Sequence, residues 1–202
     1  MIKQFTPYLF IIMLVSCSSP ESLSPEALNK YIQDADHGLV QKAEVNGYTI
    51  QVNYRPTDLL VDQELHHKPA DKNEIESLRK KYGAYYYFIL SLSKDNKEAL
   101  HQTGGDQYSD LVQTLSFRMN NYVNLTTSAT DTIPTGDFIL NRTYGLSDAT
   151  SLLFVFRREK AKDKEWVQFN LNEFGLNIGN QRFRFKTKDL ENVPKIKFDF
   201  NR

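Results

Sequence analysis

Residues 45–54 have the sequence VNGYTIQVNY, and this stretch decides the fold class of the chain. Asn46 followed by Gly47 favours a two-residue hairpin turn, because both residues accept a positive φ angle at low cost. From Tyr48 onward, apolar and polar residues alternate with the period of a strand that is buried on one face. The stretch therefore predicts an antiparallel hairpin whose inner face packs against a core.

Strand-like segments of similar length recur along the rest of the chain. Residues 85–90, YYYFIL, form a continuous apolar run that predicts a central strand buried on both faces. Residues 108–115 fit a helix, but Leu115, Phe117 and Met119 also alternate, which predicts a strand there. Further strands are predicted over residues 122–127, 138–144, 151–157, 166–171, 182–186 and 195–200. We therefore expect a mainly β (α+β) fold, an antiparallel β-sandwich or half-barrel.

A few helices are predicted beside these strands. Ser24 followed by Pro25 is a helix-start signature, and Gly38 is placed to end that first helix. Residues 58–65 and 72–82 predict two further helices, the second with a largely solvated surface. The β-rich domain is therefore expected to begin with an N-terminal helix.

The first seventeen residues have the three-part layout of an export signal. Lys3 precedes the apolar run of residues 8–15, and small or polar residues follow that run. The run is shorter than the ~18 to 20 residues that a membrane-spanning helix needs. The segment therefore predicts export and not a transmembrane anchor.

Leu14, Val15, Ser16 and Cys17 closely resemble the lipobox of bacterial lipoproteins. The resemblance implies that the Cys17 thiol receives a diacylglyceryl group and that signal peptidase II then cuts before this residue. It also implies the outer membrane, because Ser18 stands where an aspartate would resemble an inner-membrane retention signal. The face of that membrane on which the protein lies is left open.

These signals divide the chain into three parts. Residues 1–16 are the expected signal peptide, residues 17–24 the lipidated cysteine with a flexible tether, and residues 25–202 a single globular domain. The order of helix, hairpin, sheet and final basic strand is similar to that of small uncharacterised envelope lipoproteins of Gram-negative bacteria.

The composition excludes several classes of function. The 202 residues include 25 basic and 25 acidic side chains, and this balance argues against nucleic-acid binding. Cys17 is the single cysteine, so lipidation would leave no thiol for catalysis, disulfides or metal binding. The adjacent His66 and His67 would diverge in a helix or a strand. We therefore predict no metal, no cofactor and no catalytic residue, although a hydrolase with distant acids stays open.

A basic stripe near the end of the chain is the main candidate site. Arg182, Arg184 and Lys186 alternate with Phe183 and Phe185, which places cations on one face of a strand and aromatic rings on the other. Two interpretations stay open. The stripe is either the solvated face of an ordinary strand pair, or an anion-binding surface for an acidic glycan, a lipid headgroup or an acidic protein partner.

Aromatic residues suggest a second, sugar-binding interpretation. Tyr85, Tyr86 and Tyr87 together with Trp166 could line a surface on which sugar rings stack. The alternative is that these residues belong to core strands, which is the more common use of such runs.

A modification site is the third candidate. Asp131, Thr132 and Ile133 resemble the short O-glycosylation signal of exported proteins in one group of Gram-negative bacteria, with Thr132 as the modified residue. The alternative is a polar turn before Pro134.

Together these features predict a non-catalytic interaction module of the cell envelope, held at the outer membrane by its lipid. We expect another envelope protein as its partner. The alternative is an envelope lipoprotein that binds a glycan or another small ligand.

Overall fold

The computed structural model describes residues 22–66 and 68–198 of the chain. Its strands are β1 (Ser22–Leu23), β2 (Val40–Val45), β3 (Tyr48–Tyr54), β4 (Tyr85–Lys94), β5 (Lys97–Glu98), β6 (Val123–Thr127), β7 (Thr132–Pro134), β8 (Asp137–Asn141), β9 (Thr150–Arg157), β10 (Trp166–Leu171), β11 (Gln181–Lys186) and β12 (Lys195–Ile196). Its α-helices are α1 (Pro25–Gln33), α2 (Thr57–Glu64), α3 (Lys72–Gly83), α4 (Gly105–Phe117) and α5 (Thr187–Glu191).

Two antiparallel sheets form the body of the protein. The large sheet has the strand order β2-β3-β4-β9-β8, with β5 added beside β4, and the small sheet has the order β11-β10-β6-β7. Phe88 of the large sheet lies with its ring centroid 5.8 Å from that of Phe169 and 5.1 Å from that of Phe185 in the small sheet. The two sheets therefore enclose one aromatic core. This arrangement confirms the predicted mainly β, sandwich-like α+β fold.

The hairpin that the sequence predicts most strongly is present. Val45 lies opposite Tyr48, and the turn residues Asn46 and Gly47 have φ angles of 51° and 79°. Two positive φ angles in succession are the signature of a type I′ turn, whose twist matches that of the paired strands. Along β3, Ile50 and Val52 are fully buried in the core.

The strand β4 is central, as predicted, but it is not buried on both faces along its whole length. Tyr86 and Phe88 point into the core and have no exposed surface, whereas Tyr85 and Ile89 on the other face are half-buried. Tyr87 is covered on that face, where its ring centroid lies 6.2 Å from that of Tyr82 in α3. A run of apolar residues does not reveal how much of the second face a neighbouring helix covers.

Two helix predictions need correction. The helix α1 ends at Gln33, and Gly38, with a φ angle of 68°, instead ends the short 3₁₀ turn that follows. Residues 115–117 belong to the helix α4 and not to a strand. Leu111 and Leu115 both bury into the core from one side of this helix, whereas Phe117 is 76% exposed. The four-residue spacing of the buried leucines is that of a helix face, and the alternation of Leu115, Phe117 and Met119 does not correspond to a strand.

The ends of the described chain are joined in a way that the sequence did not predict. Ser22 and Leu23, placed in the tether by the sequence, pair in parallel with Lys195 and Ile196. The strand predicted over residues 195–200 is only two residues long, and it pairs with β1. Residues 199 and 200 lie outside the described residues. A strand pair of only two residues depends on contacts between distant parts of the chain, and these contacts produce no recognisable pattern in the local sequence.

An ion pair between a buried aspartate and a half-buried arginine fixes α2, α3 and β12 to one another. Arg79 of α3 donates two hydrogen bonds, of 2.8 and 2.6 Å, to the carboxylate of Asp58 in α2. The backbone N–H of Ile196 donates a third, of 2.7 Å, to the same carboxylate. Since Asp58 is buried, these bonds replace the water that its charge would otherwise require. One carboxylate thus holds three elements in place.

The segment that carries the lipoprotein resemblance, including Cys17, lies outside the described residues. Within residues 22–66 and 68–198, none of the helices has the length and apolar character needed to cross a membrane.

Candidate functional site

The outward surface of the small sheet brings together several residues that the sequence singled out. On its edge strand β11, Arg182, Arg184 and Lys186 are exposed, whereas Phe183 and Phe185 are 4% and 0% exposed. The predicted division of this strand into a cationic face and an aromatic face is therefore confirmed. Its neighbour in the sheet is β10.

The register of the small sheet extends this surface across four strands. Each cation of β11 lies opposite a residue of β10: Lys186 opposite Trp166, Arg184 opposite Gln168 and Arg182 opposite Asn170. On the next strands, Thr126 and Asn124 of β6 continue two of these rows, and Thr132 of β7 lies opposite Thr126. We call this surface the polar face, which consists of Asn124, Thr126, Thr132, Trp166, Gln168, Asn170, Arg182, Arg184 and Lys186.

The polar face has a one-sided charge. Its nine residues include three cations and no Asp or Glu. The nearby carboxylate of Asp131 lies 3.5 Å from the ammonium group of Lys164, outside the face. A chain with no formal net charge therefore presents a local positive surface, which favours an anionic partner.

Arg184 is held in a fixed position on this face. Its Cζ atom lies 4.0 Å from the centroid of the Trp166 ring, a cation–π contact, and its Nη2 atom donates a 3.2 Å hydrogen bond to Oε1 of Gln168. Because one flat side of the indole is occupied by the guanidinium group, that side is not open to a sugar ring. The contact instead aligns a planar hydrogen-bond donor on a rigid support.

A chain of amide side chains runs across the middle of the face. Nε2 of Gln168 donates a 2.8 Å hydrogen bond to Oδ1 of Asn170. Nδ2 of Asn170 donates in turn to Oδ1 of Asn124 at 2.9 Å and to Oγ1 of Thr126 at 3.2 Å. These bonds fix the polar side chains before any partner arrives, which lowers the entropic cost of binding.

The shape of the face suits a broad partner better than an enclosed ligand. Its depression is shallow and has a volume of about 360 Å³, with Asn124, Gln168, Asn170 and Arg182 among its lining residues. Sites for small molecules usually surround most of the ligand surface. An open, flat depression instead resembles the polar part of a protein–protein interface.

The interpretation that Tyr85, Tyr86, Tyr87 and Trp166 line one sugar-binding surface is wrong. Tyr85, Tyr86 and Tyr87 lie on β4 in the large sheet, whereas Trp166 lies on the outward face of the small sheet. Tyr86 is also fully buried in the core. The sequence could not separate these residues because the assignment of strands to two sheets leaves no local signal.

Thr132 is exposed on the edge strand β7, between Asp131 and the buried residue Ile133. It lies at the edge of the polar face opposite β11, so any attached sugar would border the face with two strands between it and the β11 cations. Modification of Thr132 stays a prediction.

The carboxylate of Glu98, which no sequence pattern singles out, is buried and only 3% exposed. Its Oε1 atom accepts hydrogen bonds from Oγ1 of Thr143 and from the backbone N–H groups of Gly145, at 2.9 Å, and Ser147, at 3.2 Å. Burial alone would raise the pKa of Glu98, but these hydrogen bonds hold the pKa below its ordinary value. Glu98 therefore fixes the loop that joins β8 to β9.

Glu173 performs a similar role in the loop that joins β10 to β11. Its carboxylate accepts hydrogen bonds from the backbone N–H groups of Gly175 at 2.7 Å, Asn177 at 2.9 Å and Gly179 at 2.6 Å. Although burial opposes the charge, these donors lower the pKa of Glu173. The loop between β10 and β11 is thus built around one carboxylate, and it joins the two strands that carry the cations and Trp166.

A separate cavity of about 470 Å³ lies at the ends of β4 and β9, where Tyr85, Arg157 and Arg158 line it. Arg158 is already engaged there, because its Nη2 atom lies 3.3 Å from the Glu191 carboxylate and its Cζ atom lies 4.9 Å from the Tyr86 ring centroid. Three cations and two acids, Glu159 and Glu191, line this cavity, whereas the polar face has three cations and no acid, so the polar face is the stronger candidate for anion binding.

Within residues 22–66 and 68–198, no three His, Cys, Asp or Glu side chains converge closely enough to hold a metal ion.

Comparisons with known proteins give a distant likeness in structure. No family model and no curated protein matches the chain. A novel protein of unknown function from Burkholderia pseudomallei K96243 is similar with a TM-score of 0.39 and 11% identity, over 85% of this chain and 94% of that one. A DUF4426 family protein from Pseudomonas aeruginosa PAO1 is similar with a TM-score of 0.38 and 9% identity, over 73% and 91% of the two chains. Neither comparison indicates a catalytic family.

Proposed function

We propose that this protein is a lipoprotein, anchored in the outer membrane through Cys17, that acts as a non-catalytic interaction module of the cell envelope. Its polar face binds an acidic surface on another envelope protein. The observation that carries this proposal is the concentration of three cations, without an acid, on one rigid sheet face. Arginine and tryptophan are also the residues that most often dominate the binding energy of protein interfaces.

A protein partner is favoured over a glycan by two features of the face. Arg184 covers one side of the Trp166 ring, and the amide groups of Gln168, Asn170 and Asn124 already bond to one another. A sugar would have to displace these contacts before it could stack or bond there. An acidic protein surface needs only to approach the guanidinium and ammonium groups, which are exposed.

The lipid anchor is supported by the resemblance of residues 14–17 to a lipobox. Each buried methylene contributes ~0.8 kcal/mol, so several acyl chains hold a folded domain at a membrane almost permanently. Radiolabelled palmitate should enter the protein in its native host, and the Cys17→Ala variant should lose both the label and the membrane fraction. Unlabelled protein, or unchanged fractionation of the variant, would show that the anchor is absent.

The polar face is tested by the combined variant Arg182→Glu, Arg184→Glu and Lys186→Glu. A matched control reverses three exposed lysines elsewhere, Lys30, Lys72 and Lys80. The partner is first identified by crosslinking in the native envelope and is then purified. We expect its affinity to fall by about a hundredfold for the face variant and to stay unchanged for the control, because close charge pairs contribute several kcal/mol at interfaces.

The salt dependence of the same binding reaction gives a second test. Affinity for wild type should decrease as ionic strength rises, since salt screens the attraction between exposed charges. The face variant should lose most of this dependence. Equal affinity of both variants for the purified partner, or loss of binding only to an acidic glycan array, would contradict the proposal.

A further inference from the structure

The free edges of the two main sheets are protected to different degrees. The four edge strands are β2 and β8 in the large sheet and β11 and β7 in the small one. An exposed edge offers unpaired N–H and C=O groups to any extended chain, and proteins usually block it with charges, proline or short length. On β2 the exposed pair Lys42 and Glu44 blocks the edge, with 3.0 Å between Nζ and Oε1. The strand β7 has only three residues and ends at Pro134.

The edge of β8 is less protected than the other three edges, although the carboxylate of Asp137 accepts a 2.8 Å hydrogen bond from the N–H of Phe138. Its sequence, DFILN, contains neither lysine nor proline, and its one charge is the first residue, Asp137. The third edge for comparison, β11, carries three exposed cations. The strand β8 is therefore the edge that is best able to accept another strand among those of the two main sheets.

An apolar row ends at this edge. Ile139 of β8 lies opposite Leu153 of β9, which lies opposite Ile89 of β4. All three side chains point to the outward face of the large sheet, and Ile139 is 59% exposed. Phe117 is 76% exposed and follows Ser116, whose hydroxyl accepts a 2.9 Å hydrogen bond from Nη2 of Arg142, just beyond β8. The apolar row thus reaches the free edge of β8 at the exposed side chain of Ile139.

We propose that β8 pairs with β8 of a second copy of this chain, antiparallel and about a two-fold axis at Ile139. Opposite residues in a continuous antiparallel sheet share one face, so the register with Ile139 opposite itself keeps all outward side chains outward. Their Cβ atoms then lie about 5 Å apart. The two apolar rows join into one, and the exposed isoleucine becomes covered.

The ends of β8 fit this self-pairing. Asp137 begins the strand, and Asn141 and Arg142 lie at its other end. The antiparallel register places the Asp137 carboxylate of each copy opposite Asn141, and beside Arg142, of the other. Both ends of the joined strands thereby bring an acid close to hydrogen-bond donors. This complementarity favours a second copy over an unrelated extended segment, and it does not depend on the lipid anchor or on the polar face.

Site-specific crosslinking tests the register directly. The full chain carrying Cys17→Ser is purified in mild detergent with one new cysteine, either Ile139→Cys or, as an edge control on β7 that keeps Pro134, Thr132→Cys. Mild oxidation should link the Ile139→Cys chains into dimers and leave the Thr132→Cys chains monomeric. Equal linkage of both variants, or none at position 139, would overturn the proposal, as would linkage of Ile139→Cys only to a different envelope protein.

Sedimentation equilibrium of the full chain gives an independent measurement. With Cys17→Ser as the wild-type background, the full chain should approach twice its mass of 23.4 kDa as its concentration increases. Ile139→Lys should weaken the association at least about tenfold, because it places two ammonium groups opposite each other across the axis. The control Leu146→Lys removes a side chain that is 91% exposed but lies outside β8, and it should associate like wild type. A monomeric wild type, or equal weakening by both variants, would contradict the dimer.

Discussion

At the scale of single residues, the buried carboxylate of Glu98 should make the stability of the folded protein sensitive to acid. The pKa of Glu98 is lower in the folded protein than the value of about 4.5 in the unfolded chain. The ionised carboxylate therefore stabilises the fold fully above pH 4.5, and this stabilisation is lost as the pH falls through the pKa of the folded state. Glu98→Gln should cost about 1 to 3 kcal/mol at neutral pH, because the loop N–H groups of Gly145 and Ser147 lose a charged acceptor.

Urea unfolding of wild type and Glu98→Gln, measured at neutral pH and below pH 4, checks this expectation. The difference between the two proteins should shrink on acidification. The exposed acid Glu44 supplies the control, since Glu44→Gln should leave the unfolding midpoint unchanged at both pH values. A difference between wild type and Glu98→Gln that grows on acidification would contradict the assigned role of Glu98.

The contact between Arg184 and Trp166 makes a prediction that can be observed by fluorescence. Trp166 is the single tryptophan of the chain, so its emission reports this site alone. Arg184→Ala should expose the ring, shift its emission and increase its quenching by acrylamide, while stability stays within about 0.5 kcal/mol. Arg182→Ala, on the same strand but opposite Asn170, should leave the emission unchanged. Equal effects of the two variants would show that Arg184 does not cover the ring.

At the scale of secondary-structure elements, the bond between Asp58 and Arg79 should stabilise the helix pair and β12 together. Asp58→Ala leaves the Arg79 charge without its carboxylate and removes the acceptor of the Ile196 N–H. A loss of about 2 to 3 kcal/mol is expected, because the hydrogen bonds to the buried carboxylate are lost while the Arg79 side chain, 28% exposed, can be hydrated. Hydrogen exchange should accelerate in α2, α3 and β12.

The exposed pair between Lys81 and Glu64 is the matched control for this experiment, because it joins the same two helices at the surface. Glu64→Ala should leave the unfolding midpoint unchanged. If hydrogen exchange in Asp58→Ala accelerates only in α2, then the carboxylate does not couple the three elements.

Elements with a strong local signal could be predicted from the sequence, and elements made by distant contacts could not. The turn at Asn46 and Gly47 requires two positive φ angles, so its residues specify it without help from the rest of the chain. The start of α1 is similarly local, because Ser24 accepts a 3.2 Å hydrogen bond from the N–H of Ala27. The pairing of Ser22 with Lys195, by contrast, joins residues at opposite ends of the sequence.

The candidate site shows the same division. Alternation placed Arg182, Arg184 and Lys186 on one face of a strand, since that depends only on strand geometry. Neither Trp166 nor the amide residues of β10 and β6 could be assigned to the same face, because strand order and register follow from packing of the whole core. The sequence pattern therefore shows which face of its own strand a residue occupies, but it does not show which strands are neighbours or how they are aligned.

At the scale of the whole molecule, the two sheets should unfold together because they share one core. Phe88 contacts Phe156 in its own sheet and Phe169 and Phe185 in the other, at centroid distances of 6.1, 5.8 and 5.1 Å. Phe88→Ala should therefore cost about 3 to 5 kcal/mol, whereas Ile89→Ala, on the half-buried outer face, should cost less.

Denaturant unfolding followed by Trp166 fluorescence and by far-ultraviolet circular dichroism measures this coupling. Trp166 reports the small sheet, and circular dichroism reports both sheets. The two transitions should coincide in wild type and should move together in Phe88→Ala. Separate transitions would mean that each sheet is stable without the other.

The pairing of Ser22 and Leu23 with β12 limits how far this protein could reach from its lipid. Five peptide units separate Cys17 from Ser22, and a fully extended chain covers at most about 18 Å over that length. A lipid on Cys17 would thus keep the β1–β12 end of the sandwich close to the bilayer, with little freedom to swing outward. Recognition would then take place along the membrane surface, between neighbours in the same layer, and not across the width of the envelope.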